Sequence, residues 1–142
     1  MAVYLDTSVL VAYYVPEVHS EQSESIIRGN NDRVVSPLCL SEFSAALRAK
    51  VHHGHVAMSD AIAVRDRFRT HYDSGFYRVV QLEARHHDHV FNLVWQLNVR
   101  LRTLDALHVA VAQLGGFHLA TADERLRDCG LAAHLQVVWA GI

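Results

Sequence analysis

The sequence predicts an α/β protein of three layers, α/β/α, with a short central parallel sheet and helices on both faces. Two observations carry this. Short apolar runs alternate with longer helical stretches along the chain, the pattern of parallel strands joined by helices. The runs also lack the in–out alternation of a half-exposed sheet, as strands covered on both faces do. With 142 residues and no repeat, linker or low-complexity stretch, the chain reads as one domain over residues 1–142.

Each element has its own signal. Val3–Leu5 reads as a buried strand, and Asp6 or Thr7 can cap a helix running to Tyr14, which Pro16 ends. Ser20–Arg28 is a short helix with Ile26 and Ile27 inward, followed by the loop Gly29-Asn30-Asn31-Asp32. After a brief strand at Val34–Val35, Ser36-Pro37 has the cap and first-turn proline of a helix start. That helix should reach Val51 with Leu40, Phe43, Leu47 and Val51 as its apolar stripe. Ser59-Asp60 should cap the next helix, ending near Tyr72, and Gly75 precedes a strand at Tyr77–Gln81. A helix from Glu83 to Leu97 follows, then one from Thr103 to the stop at Gly115-Gly116. Phe117–Ala120 is a strand, Thr121 opens a helix to Cys129, and Gln136–Trp139 is the last strand.

Composition excludes some classes. About half the residues are apolar and a fifth charged, a globular balance. The formal net charge of -2 gives no global basic field. The positive charge is almost all arginine, with Lys50 the only lysine; arginine is the better bidentate phosphate ligand, although GC-rich codon usage produces the same bias. Cys39 and Cys129 have no metal or redox spacing and suit a reducing cytoplasm. No signal peptide is visible, and no apolar stretch is long enough to span a membrane.

Four acidic positions could carry chemistry. Asp6 falls at the carboxyl end of the first strand, facing the crevice where open α/β sheets bind ligands. Asp123 repeats that arrangement after Phe117–Ala120. Asp105 lies in the first turn of a helix apolar nearly all round, where a carboxylate is costly unless paired or bound to metal. Glu42 lies beside the apolar stripe of its helix, with Ala46 and Ala49 on its side leaving room for an approaching group. Taken singly, each has a structural reading: Asp6 a helix cap, Asp123 a complement to a Thr121–Glu124 capping box, Glu42 a solvated helix residue, Asp105 a partner of the helix dipole. Together in one pocket they would repel unless a cation were present. Oxygen-only ligands suit Mg²⁺ or Mn²⁺ and point to metal-assisted phosphodiester hydrolysis.

The ordered set Asp6-Thr7-Ser8, Ser41-Glu42, Leu101-Arg102-Thr103-Leu104-Asp105-Ala106-Leu107-His108 and Thr121-Ala122-Asp123-Glu124-Arg125-Leu126 resembles the PIN-domain ribonucleases, specifically the VapC-type toxins of toxin–antitoxin pairs. The resemblance implies a PIN-like fold and an endoribonuclease whose catalytic and metal-binding set is Asp6, Glu42, Asp105 and Asp123. In it, three aspartates bind Mg²⁺ (or Mn²⁺), and Glu42 completes the site or positions the attacking water. It implies supporting hydroxyls at Ser8 and Thr121, an RNA substrate, a homodimer and a co-expressed VapB-like antitoxin laid across the toxin's groove. Arg102, Arg125 and Arg127 flank the carboxylates, where they could hold the RNA backbone or form surface ion pairs. His108, one turn from Asp105, reads as a hydrogen-bonded core histidine rather than a catalytic base. The clusters His52-His53-Gly54-His55 and His86-His87-Asp88-His89 read as incidental. The competing readings are a structure-specific or DNA-directed nuclease on the same scaffold, a phosphatase or phosphotransferase (against which Ser8 replaces the second aspartate of Asp-x-Asp), and a non-catalytic nucleic-acid or protein binding module.

Overall fold

The computed structural model describes residues 1–142 and has seven helices and five strands, with the alternation expected. The strands β1 (Ala2–Leu5), β2 (Asp32–Val35), β3 (Arg78–Val79), β4 (His118–Thr121) and β5 (Val137–Trp139) form one sheet in the order β3-β2-β1-β4-β5. Every pairing is parallel. The central strand β1 contributes Val3, Tyr4 and Leu5, all essentially inaccessible. Its lack of polar alternation is thereby explained: both faces are covered.

The helices are α1 (Thr7–Tyr14), α2 (Ser20–Arg28), α3 (Pro37–His52), α4 (Met58–Ser74), α5 (Ala84–Gln96), α6 (Thr103–Gly115) and α7 (Glu124–Ala132). In α6, seven consecutive residues from Ala106 to Ala112 are buried, as its all-round apolar character requires. Along α3, Phe43 and Leu47 are fully buried, whereas Leu40 and Val51 are only partly so. Phe43 packs against Phe68 of α4 with ring centroids 4.2 Å apart and against Tyr14 of α1 at 5.7 Å.

Several boundaries and caps differ from expectation. Ser36 makes no cap bond at the start of α3; its hydroxyl lies 2.8 Å from the Tyr4 hydroxyl instead. Ser59 and Asp60 fall inside α4, which begins at Met58 after Ala57. Gly75 closes that helix in the left-handed region, at φ 87°, where glycine carries no Cβ penalty. Strand β3 is shorter than Tyr77–Gln81 because Tyr77 is drawn into a buried cluster, its hydroxyl 2.8 Å from that of Tyr14. Strand β2 begins earlier than Val34, with Arg33 tolerated at the sheet because its guanidinium donates to the carbonyls of Phe76 and Ile27. Thr121 does not open α7: it is the last residue of β4, and Asp123 caps the helix. No helix is long and apolar enough to cross a membrane.

The topology positions the site. From the central β1 the chain winds outward through β2 and β3, then returns to the other side of β1 to lay down β4 and β5. The winding direction therefore reverses between β1 and β4, and the crevice beyond their carboxyl ends is where such sheets bind ligands. Asp6 follows β1 and Asp123 follows β4.

Candidate active site

Asp6 extends the β1–β4 pairing, its N–H donating to the Ala120 carbonyl at 3.1 Å. Its side chain is buried and caps α1 by accepting from the Val9 N–H at 3.2 Å. The same carboxylate accepts the hydroxyls of Ser8 at 2.6 Å and Thr121 at 2.7 Å. Ser8 in turn accepts from the Ala122 N–H at 2.9 Å, and Thr121 from the Asp123 N–H at 3.0 Å. Both hydroxyl residues thus brace the two strand ends against each other. Burial pushes the Asp6 carboxyl up from its ordinary value, against the pull of these hydrogen bonds and of His108.

Glu42 enters from α3. Its Oε1 accepts the Thr7 hydroxyl at 2.9 Å and lies 2.5 Å from His108 Nε2, while Oε2 has no protein partner. Burial raises the Glu42 carboxyl, but the bonds from His108 and Thr7 outweigh it and hold the group below its ordinary value. Ala45, rather than Ala46 or Ala49, opens the space beside it: a depression of about 450 Å³ lined by Ala45, Ser41, Leu82 and Leu104 reaches Glu42. Ala46 is partly buried against the core.

Asp105 enters from α6. Its Oδ2 is buried and accepts no hydrogen bond. The nearest cation, Arg102 Nε, stands 3.6 Å away, an ion pair too long for a hydrogen bond. Burial pushes the carboxyl up; Arg102 and His108 pull it down, and Asp123 and Glu42 push it further up. Asp123, Glu42 and His108 thus all lie near enough to Asp105 to act on its carboxyl. Asp123 is exposed, its Oδ1 accepting from the N–H groups of Arg125 at 2.8 Å and Leu126 at 3.3 Å. The structure thus brings all four predicted acids to one sheet edge. Asp6 and Asp123 are helix caps and members of the cup at once.

The flanking cations differ. Arg102 is exposed and already paired with Asp105. Arg125 is exposed and enters no ion pair. Arg127 is engaged, pairing with Asp128 at 3.1 Å and lying over the Trp139 ring. Sequence reasoning missed Tyr4, whose hydroxyl reaches His108 Nδ1 at 2.6 Å; it is an apolar-strand residue with its partner far along the chain, so no local signal marks it.

As they stand, no three histidine, cysteine, aspartate or glutamate side chains are arranged to hold a metal ion directly. The donor set nonetheless suits a hard cation that retains water. Mg²⁺ is held through one or two carboxylates plus water and phosphate. Glu42 Oε2, Asp105 Oδ2 and Asp123 Oδ2 are left without a hydrogen-bond partner. An orphaned buried carboxylate oxygen is costly in an isolated protein.

The PIN domain family model matches residues 3–130. Ribonuclease VapC46 of Mycobacterium tuberculosis (strain ATCC 25618 / H37Rv) is 32% identical over 140 residues, covering 96% of each chain. Among solved structures, VapC20 of Mycobacterium tuberculosis, described as a sarcin-ricin loop cleaving toxin, aligns over 91% of this chain and 95% of its own with a TM-score of 0.71 and 16% identity. A toxin–antitoxin complex from Klebsiella pneumoniae aligns over 100% of both chains with a TM-score of 0.68 and 15% identity. At such identities the two structures speak for the fold alone. The family match and the VapC46 relative go further: the chain belongs to the PIN-domain family and, within it, to the VapC-type ribonucleases.

Proposed function

We propose that this chain is a Mg²⁺-dependent endoribonuclease that acts as the toxin of a toxin–antitoxin pair. The observation that carries the reading is the acidic cup at the β1–β4 switch point, with an unsatisfied buried oxygen on Asp105. Asp6, Asp105 and Asp123 would hold the cation, with Mn²⁺ as a substitute, and Glu42 would complete the site. A divalent cation bound there stabilises charge on phosphate oxygens and makes water more acidic. The chain's own residues do the rest. Glu42, held ionised, can accept a proton from the water that adds to phosphorus as a phosphodiester bond breaks. Ser8 and Thr121 hold Asp6 in place, and Arg125, with Arg102 once it exchanges Asp105 for a phosphate, binds the RNA backbone.

VapC46 is named a ribonuclease and the Klebsiella structure a toxin–antitoxin complex; by that kinship we assign this chain an RNA substrate and a protein antitoxin, together with the homodimeric state the family resemblance implies and the cytoplasmic location its two lone cysteines suit. The test is to incubate the purified chain with RNA and sequence the cut ends. Cleavage should require Mg²⁺ and disappear in Asp6→Asn and Asp105→Asn while the fold persists. Cutting that continues in excess chelator overturns the metal, and cutting by Asp105→Asn overturns the site.

A further inference from the structure

Behind Glu42 runs a buried hydrogen-bonded chain that the reaction above leaves unused. Cys39 Sγ donates to the Leu5 carbonyl at 3.5 Å, so its sulfur is free only to accept. The Ser36 and Tyr4 hydroxyls lie 3.8 Å and 3.7 Å from that sulfur and 2.8 Å from each other. Tyr4 Oη is 2.6 Å from His108 Nδ1, and on the far side of the ring Nε2 meets Glu42 Oε1. Tyr4 and His108 are both buried.

The proton that faces Glu42 in this chain can be assigned. An ionised carboxylate only accepts, so the proton between His108 and Glu42 sits on Nε2. On the other side of the ring Nδ1 meets the Tyr4 hydroxyl, which can donate to it or accept from it. The Ser36 and Tyr4 hydroxyls pair with each other, and either can donate. Every position is then satisfied, whichever way the Tyr4–His108 bond runs. The result is a carboxylate occupied on one side: Oε1 takes both His108 and Thr7.

We infer that His108 is a positioning residue of this site: steadied at Nδ1 by Tyr4, it holds Glu42 by Oε1 so that Oε2 is the single oxygen presented to water, cation or phosphate. The inference rests on the nuclease reading for its purpose, though the geometry stands without it. Groups that orient a reacting carboxylate typically matter by roughly 10–100-fold in rate or metal affinity, because small misplacements of a reacting atom are expensive. His108 is too buried to touch RNA.

Two measurements test it. The first needs no RNA: two-bond proton–nitrogen correlation of the His108 ring in the metal-free protein. A proton on Nε2 is expected; a ring protonated at Nδ1 alone overturns the inference. The second compares His108→Ala, His108→Gln and the near-isosteric Tyr4→Phe. Cleavage kcat should fall roughly 10–100-fold in His108→Ala and by less in Tyr4→Phe, with KM for RNA unchanged, and His108→Gln, which keeps an N–H donor, should recover part of the loss. Full kcat in His108→Ala or Tyr4→Phe, or a change confined to KM, overturns it. If His108→Ala does not fold, Tyr4→Phe and the ring spectrum still decide. A wild-type chain that cuts no RNA sinks the nuclease reading, whereas the ring spectrum answers for His108 alone.

Discussion

Asp105 carries the sharpest consequence at the scale of single residues. Burial holds its carboxyl above the ordinary value, and the opposing pulls of Arg102 and His108 do not cancel this. Between the ordinary value near pH ~4 and the raised native one, the folded state binds more protons than the unfolded chain. Stability contributed by this group is therefore present at low pH and lost as pH rises through that window. Asp105→Asn removes the titration. In chelator, urea unfolding should show variant and wild type converging near pH ~4 and the variant pulling ahead as pH rises to a plateau; a wild type that stays the more stable above that window refutes it. The same scale shows where local sequence rules run out. Asp6 and Asp123 read as caps or as site residues; both are caps, and a cap at a strand end also lies at the crevice. Ser36 had every local mark of a cap, yet a Tyr4 hydroxyl from the neighbouring strand claimed it. His108 could be seen as a bonded core histidine, but its partners Tyr4 and Glu42 lie 104 and 66 residues away, beyond any local pattern.

Helices were legible to the degree that their own residues decide them. α5 begins one residue after Glu83, where expected, because a cap interaction within the first turn sets it: His86 Nδ1 accepts the Glu83 N–H at 3.0 Å. That bond needs an unprotonated Nδ1, and burial, helped by Arg85, depresses the His86 value. The contribution is complete above the ordinary imidazole range, about pH 6.5, and is lost as pH falls through the lowered native value. His86→Gln keeps an acceptor at a position where glutamine suits a capping box. Its stability should fall less than that of the wild type between pH 7.5 and pH 5, in denaturant melts; His71, whose value is also lowered, leaves a residual slope in both. An equal fall in the two proteins would remove His86 from the account. α3 supplies a second case. Phe43, 1% exposed, joins α3 to α4 and α1 through Phe68 and Tyr14, so Phe43→Ala should cost about 3–5 kcal/mol by chemical denaturation. A cost under about 1 kcal/mol would mean that the three helices close over the hole. By contrast α4 begins before its best capping residues, since packing of Ala61 and Phe68, not the cap, sets where it lies.

For the whole molecule, alternation of apolar runs and helices revealed a parallel sheet but not its strand order. That order depends on which crossovers bury the most surface, a sum over contacts distant in sequence. The order β3-β2-β1-β4-β5 is what turns two separate aspartates into neighbours; any arrangement separating β1 from β4 would have left Asp6 and Asp123 apart with the same sequence motifs. The acidic cup is thus a property of the assembled fold. A ligand that binds only the folded chain stabilises it by mass action, by about 2.7 kcal/mol at a hundredfold excess over its dissociation constant. For a domain of this size that is a rise in Tm of roughly 5–10 °C. Mg²⁺ is the informative probe because imidazoles do not compete for it, whereas Zn²⁺ or Ni²⁺ would also find the exposed His52, His53 and His55. Differential scanning calorimetry should show the rise in the wild type, its reversal by chelator, and its loss in Asp105→Asn, where the orphaned oxygen is no longer anionic. A wild type whose Tm ignores Mg²⁺ and Mn²⁺ alike would show that the four acids are reconciled by their hydrogen bonds alone, and the cup would then need no metal to stand.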